Sequence, residues 1–83
     1  MPTVLKFDGL RVVIYPNDHR PAHVHVIGGG HEALFDLNCP LGPPSLIENY
    51  GFSRAAITRI QRTVGDNIEM LCRSWEGIHG QAG

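Results

Sequence analysis

The 83-residue chain has no apolar run near the ~20 residues that a bilayer span requires, so a membrane-crossing helix is excluded. Its start, Met1-Pro2-Thr3-Val4, lacks a basic segment ahead of an apolar stretch. No signal peptide is therefore expected, and a cytoplasmic location is predicted. Cysteine is scarce, with Cys39 and Cys72 alone. Two are too few for a disulfide framework; one bridge is allowed by count, but without an export signal both are read as thiols. Cys39 precedes Pro40 in a loop and Cys72 falls in an apolar helical pattern, and neither sits in a pattern that suggests a nucleophile. Charge of one sign is also lacking, with seven basic residues against eight acidic and a formal charge of −1. Strong electrostatic attraction to nucleic acid is thus not the default, although a local basic patch stays open. There is no internal repeat and no low-complexity tract.

What is present fits one small domain, residues 1–83, since so short a chain cannot build two cores. Hydrophobic residues make up 42% and charged residues 18%, enough to fold with little left for disordered tails. Ten glycines and six prolines argue against an all-helical bundle.

The first half predicts strands. Residues 3–7 are β-prone, and Asp8-Gly9 is a hairpin turn signal. Residues 10–15, Leu-Arg-Val-Val-Ile-Tyr, form a second strand that Pro16 ends. After a polar loop, residues 22–27 and 31–37 form two more, joined by Gly28-Gly29-Gly30, a turn that glycine suits. Residues 38–52, with Pro40, Gly42, Pro43 and Pro44, predict a long loop. The second half carries one apolar stripe at Ile57, Ile60, Val64, Ile68, Leu71, Trp75 and Ile78, the spacing of one helix face. Ser53 is its expected N-cap. Gly65 costs about 1 kcal/mol mid-helix, and Asp66 would cap a restart, so the helix over 53–78 is either continuous or kinked at Gly65. The predicted fold is an α+β two-layer sandwich, a four-stranded antiparallel meander packed on a long C-terminal helix. Leu10, Val12, Ile14, Ala22, Val24, Val26, Ala33, Phe35 and Leu37 would face the helix. Arg11, Val13, Tyr15, His23, His25, Glu32, Leu34 and Asp36 would occupy the opposite face.

Five histidines are present, four of them between positions 19 and 31. His23 and His25 stand two apart on a strand, on one face at a spacing of ~6.5 Å. If Val24 and Val26 are buried, both imidazoles point to the wetter face. A two-residue loop at Gly28-Gly29 sets His25 opposite Glu32, and one at Gly29-Gly30 sets His23 opposite Asp36. Either register places a carboxylate beside an imidazole, where it fixes the tautomer.

Three readings follow. In the first, the histidines are merely polar residues on a half-solvated sheet. In the second, His23 and His25 straddle a phosphodiester as an acid–base pair without metal. Arg20 and Arg11 then stabilise phosphoryl charge, Glu32 or Asp36 orients a ring, and Tyr15 stacks on a base or donates a hydrogen bond. In the third, His23 and His25 hold a divalent transition metal, with His19, His31, Glu32 or Asp36 completing the set. Asn17 and Asp18 are expected to shape the turn before Arg20. The triple glycine joins two strands and lacks the lysine of a P-loop, so a hairpin is expected there. Arg54, Arg59 and Arg62 crowd the first half of the helix, which reads as a solvated face, with RNA-backbone contact as the alternative.

The run Val13-Ile14-Tyr15, Asn17-Asp18-His19 and Pro21-Ala22-His23-Val24-His25-Val26, with Met1-Pro2-Thr3 before it and Trp75-Glu76 after it, resembles the small bacterial family catalogued as domain of unknown function 4160. The similarity runs from residue 1 to about residue 79 and rests on an Asp-His-x-Pro-x-His-x-His signature. The family more often has a second proline where this chain has Ala22. No activity transfers with the resemblance. Its members are commonly encoded beside another small protein, as in toxin–antitoxin pairs. The resemblance thus implies a cytoplasmic protein with a small cognate partner and RNA as a candidate target. The function expected is binding or cleavage of RNA through the histidine face, with His19 and Tyr15 at the substrate. The alternatives are a non-catalytic regulatory partner and a small metal-binding module. Open sheet edges would also allow a homodimer.

Overall fold

A computed structural model describes residues 3–80, and Met1 and Pro2, at the head of the family resemblance, lie outside them. Five strands run in order, β1 (Thr3–Phe7), β2 (Leu10–Val13), β3 (His23–Gly28), β4 (His31–Asp36) and β5 (Ser45–Tyr50). Two helices follow, α1 (Arg54–Asp66) and α2 (Ile68–His79). The strands form one antiparallel meander in chain order. The α+β class therefore holds, with five strands and two helices where four strands and one long helix were expected.

Both hairpin signals act as predicted. Asp8 and Gly9 have φ of 50° and 76°, and Gly29 and Gly30 have 59° and 81°. Positive φ at both central residues matches the twist of the flanking strands. The second turn pairs Gly28 with His31 and hence His23 with Asp36, the second of the two anticipated registers. β2 ends two residues earlier than expected, so Ile14 and Tyr15 lie beyond the ladder.

β5 is the element missed. It sits inside the expected loop 38–52, follows two prolines, and is exposed along its whole length. A bulge at Leu34/Phe35 shifts its register, so no two-residue alternation marks it in the sequence.

The apolar face is the one anticipated. Val12, Ile14, Val24, Val26, Ala33, Phe35 and Leu37 pack with Ile60, Val64, Leu71 and Trp75, all nearly or fully excluded from water. Ser53 Oγ accepts from the Ala56 amide at 3.1 Å, as an N-cap should. The helical break falls at Asn67 instead of Gly65 or Asp66. Asn67 donates its own amide to Val64 O and its side-chain amide to Thr63 O, closing α1 while α2 starts beneath it. The apolar stripe passes through the break, which is why a continuous helix was equally readable.

Cys39 and Cys72 are bonded in a disulfide, which corrects their reading as thiols. The connection after β4 carries Cys39 onto α2, a long-range approach over 33 residues that local pattern cannot reveal.

Candidate histidine–carboxylate centre

Strand alternation sends Val24 and Val26 into the core and His25 to the other face. Across the ladder, Val13 and Leu34 flank His25, and Ile27 and Glu32 stand in the next row. The chain leaving β2 then turns back over this face. A backbone bond from the Asp18 amide to Tyr15 O at 3.0 Å closes that turn. The Tyr15 ring meets the His25 ring edge-on, centroids 4.6 Å apart. The imidazoles are consequently not open to solvent; the side chains of His23 and His25 are 16% and 13% exposed.

The turn delivers Asp18 to both rings. Its Oδ2 lies 3.1 Å from His23 Nε2 and 3.0 Å from His25 Nε2. The other ring nitrogens are anchored elsewhere. His23 Nδ1 stands 2.9 Å from Pro21 O, and His25 Nδ1 stands 2.9 Å from Glu32 Oε2. Pro21 O can only accept, so His23 carries hydrogen on Nδ1, whereas His25 has a carboxylate oxygen at each ring nitrogen. Both Nε2 atoms meet the same Asp18 oxygen, an arrangement that either a ring proton or a metal ion can bridge. The ring centroids are 5.4 Å apart, so the two imidazoles face one small volume. Among the described residues, Asp18, His23 and His25 are the group of three able to offer ligand atoms to one metal ion.

The remaining candidates fall in different places. Glu32 orients His25 diagonally across the β3–β4 ladder, although Leu34 is its direct neighbour. Asp36 sits opposite His23 but its Oδ1 accepts from the Asn38 amide at 2.9 Å, so it serves the strand end. Arg20 points to α2, where its two terminal nitrogens donate to Glu76 at 2.9 and 3.0 Å. This hydrogen-bonded pairing holds the Glu76 carboxyl below its usual range and raises the Arg20 guanidinium. Arg11 pairs with Lys6 in the row that continues to Ile27, Glu32 and Tyr50. His19 is exposed, and the His31 ring lies against Phe52 at 5.3 Å, so neither joins the cluster. Arg54, Arg59 and Arg62 are exposed, as a solvated helix face requires.

Asp18 is the member that residue-by-residue reading missed, because Asn-Asp before a loop is first of all a turn signal. It opens the Asp-His-x-Pro-x-His-x-His signature, the one feature that could have promoted it.

An α+β meander with a two-histidine, one-carboxylate centre is the class that fold and site define. Within it, the family model for the domain of unknown function (DUF4160) matches residues 9–76, and the chain belongs to that family. No curated protein and no solved structure matches it.

Proposed function

We propose that the chain is a small divalent transition-metal module, with the cation held by Asp18 Oδ2, His23 Nε2 and His25 Nε2. One observation carries this reading: a carboxylate oxygen and two imidazole nitrogens, each a metal ligand once its proton is gone, converge on one small volume. A divalent cation can take the place of the ring protons there, and neutral imidazole with carboxylate suits zinc and its neighbours. Ring nitrogens oriented from behind by a carboxylate and a carbonyl are the usual support of metal-bound histidine. Glu32 and Glu48, on the same sheet face, add negative potential that favours a cation. Three protein ligands leave a fourth position for water or a substrate, the pattern of reactive rather than closed structural sites.

RNA cleavage by the bare imidazole pair is the competing reading. It needs the two Nε2 atoms to serve different oxygens and a cation to meet the phosphate. Here both meet one carboxylate oxygen, and Arg20 is engaged by Glu76.

For a small protein partner, which the resemblance implies, β5 is the surface that offers a seat. This edge strand leaves one row of backbone groups unpaired, and Leu46, Ile47 and Tyr50 are large, apolar and exposed there, with Leu41 just before them. No helix is long and apolar enough to cross a membrane among the described residues.

The test is metal uptake. Purified without an affinity tag and stripped with chelator, the full chain is expected to bind one equivalent of Zn2+ and to melt at a higher temperature. Asp18→Asn and His25→Ala are each expected to weaken binding at least tenfold. No uptake with unchanged melting, together with growth inhibition relieved by His23→Ala, would instead establish the RNA reading.

A further inference from the structure

The disulfide and the histidine centre are braced by the same stripe of one helix. Cys72, Trp75, Glu76 and His79 lie at i, i+3, i+4 and i+7 of α2 and share a face. Cys72 is bonded to Cys39 beyond β4. The ring of Trp75 lies 5.2 Å from the ring of His23. Glu76 grips Arg20, two residues after Asp18. Two of the three ligand-bearing positions are therefore steadied by a helix that the disulfide ties to the sheet. A cleft of about 720 Å³, lined by Arg20, Cys39, Pro40, Glu69, Cys72, Arg73 and Glu76, opens onto the disulfide and the Arg20–Glu76 pair together. Cys39 is exposed while Cys72 is 9% exposed, so Cys39 is the more accessible half of the bond.

We infer that the Cys39–Cys72 bond is a redox control on cation affinity at Asp18, His23 and His25, an inference that rests on the metal reading above. The oxidant state is the protein disulfide and the reductant is a dithiol. One reductant thiolate attacks the Cys39 sulfur and forms a mixed disulfide, and Cys72 leaves as thiolate and takes up a proton. The second reductant thiolate then closes the reductant's own disulfide and releases Cys39, so two electrons pass to the protein. With the tie cut, α2 holds Trp75 and Glu76 less firmly, and ordering them becomes a cost of binding the cation. By linkage, the bound cation makes the disulfide harder to reduce by the same factor. A cytoplasmic protein would give this control its use, because disulfides there are mostly transient or sensing.

The experiment compares Zn2+ affinity of the full chain, by competition with a chromophoric chelator, in the oxidised form, after phosphine reduction, and in the Cys39→Ser/Cys72→Ser variant. Affinity is expected to fall at least tenfold in the last two. The independent readout is the reduction midpoint of the unaltered chain, expected to move about 30 mV more negative in saturating Zn2+ for each tenfold. Equal affinities with an unmoved midpoint overturn the control and leave the metal centre standing. No binding in the oxidised form overturns the metal centre itself. Tighter binding on reduction, with a thiolate-to-cobalt charge-transfer band in the Co2+ form, shows the thiols taking the metal and also overturns the control.

Discussion

The Nδ1 atoms of His23 and His25 matter to the centre alongside the Nε2 atoms, because their partners, Pro21 O and Glu32, hold the rings in orientation. Glu32 is the partner whose loss is easiest to read. It is 39% exposed in its side chain, so Glu32→Gln should barely change melting while lowering Zn2+ affinity about tenfold or more. Titration calorimetry of that variant beside the parent checks this, and an equal affinity would remove Glu32 from the centre. Acid should also release the metal, since a proton competes for each ligand nitrogen. The Arg20–Glu76 pair follows a different sign rule. The Glu76 carboxyl is held below its usual range. Its contribution is present above the ordinary carboxylate range and is lost as pH falls through the lowered value. Both groups are solvent-exposed, so Glu76→Gln should lower neutral stability only slightly, with the difference from the parent vanishing in acid.

At the scale of elements, α1 offers the sharpest stability prediction. Gly65 has ordinary helical backbone, and an added Cβ would meet Pro44 Cδ at 3.5 Å, a normal contact. Gly65→Ala should therefore stabilise by about 0.5–1 kcal/mol, measurable by urea unfolding. A loss of stability would mean that the glycine is needed for the approach of Pro44. The inward face of strands and helices was legible in the sequence because Val12, Val24, Val26, Phe35, Ile60, Val64 and Trp75 obey two strict periods. β5 was not, because an exposed edge strand with a bulge buries nothing and so imposes no alternation. The break at Asn67 was displaced from the expected Gly65 because a side-chain bond to Thr63 O ends α1, and such bonds follow tertiary fit more than propensity. For the centre, the pairing of His23 with His25 followed from spacing; a carboxylate beside an imidazole was expected too, but the observed register pairs His23 with Asp36, and Glu32 reaches His25 only diagonally. Asp18 was not legible, since its role depends on how a turn folds back over the sheet, and neither was Cys39–Cys72, whose approach is set by the whole fold.

For the molecule as a whole, the disulfide and the proposed cation both act as staples on a small core. Closing a loop of 33 residues is worth about 3–4 kcal/mol on chain-entropy grounds. That is a large share of the ~5–15 kcal/mol that holds a typical domain. Reduction of the metal-free chain should thus lower the urea midpoint markedly, and Zn2+ should recover part of it. An unchanged midpoint would show that core packing alone carries the fold. Cation binding and its redox control both depend on Asp18, His23 and His25 meeting on one ion. X-ray absorption of the Zn2+-loaded chain examines that most directly. Two imidazole nitrogens at about 2.0–2.1 Å with carboxylate and water oxygens are the predicted first shell. A shell containing sulfur, or oxygen alone, would contradict it.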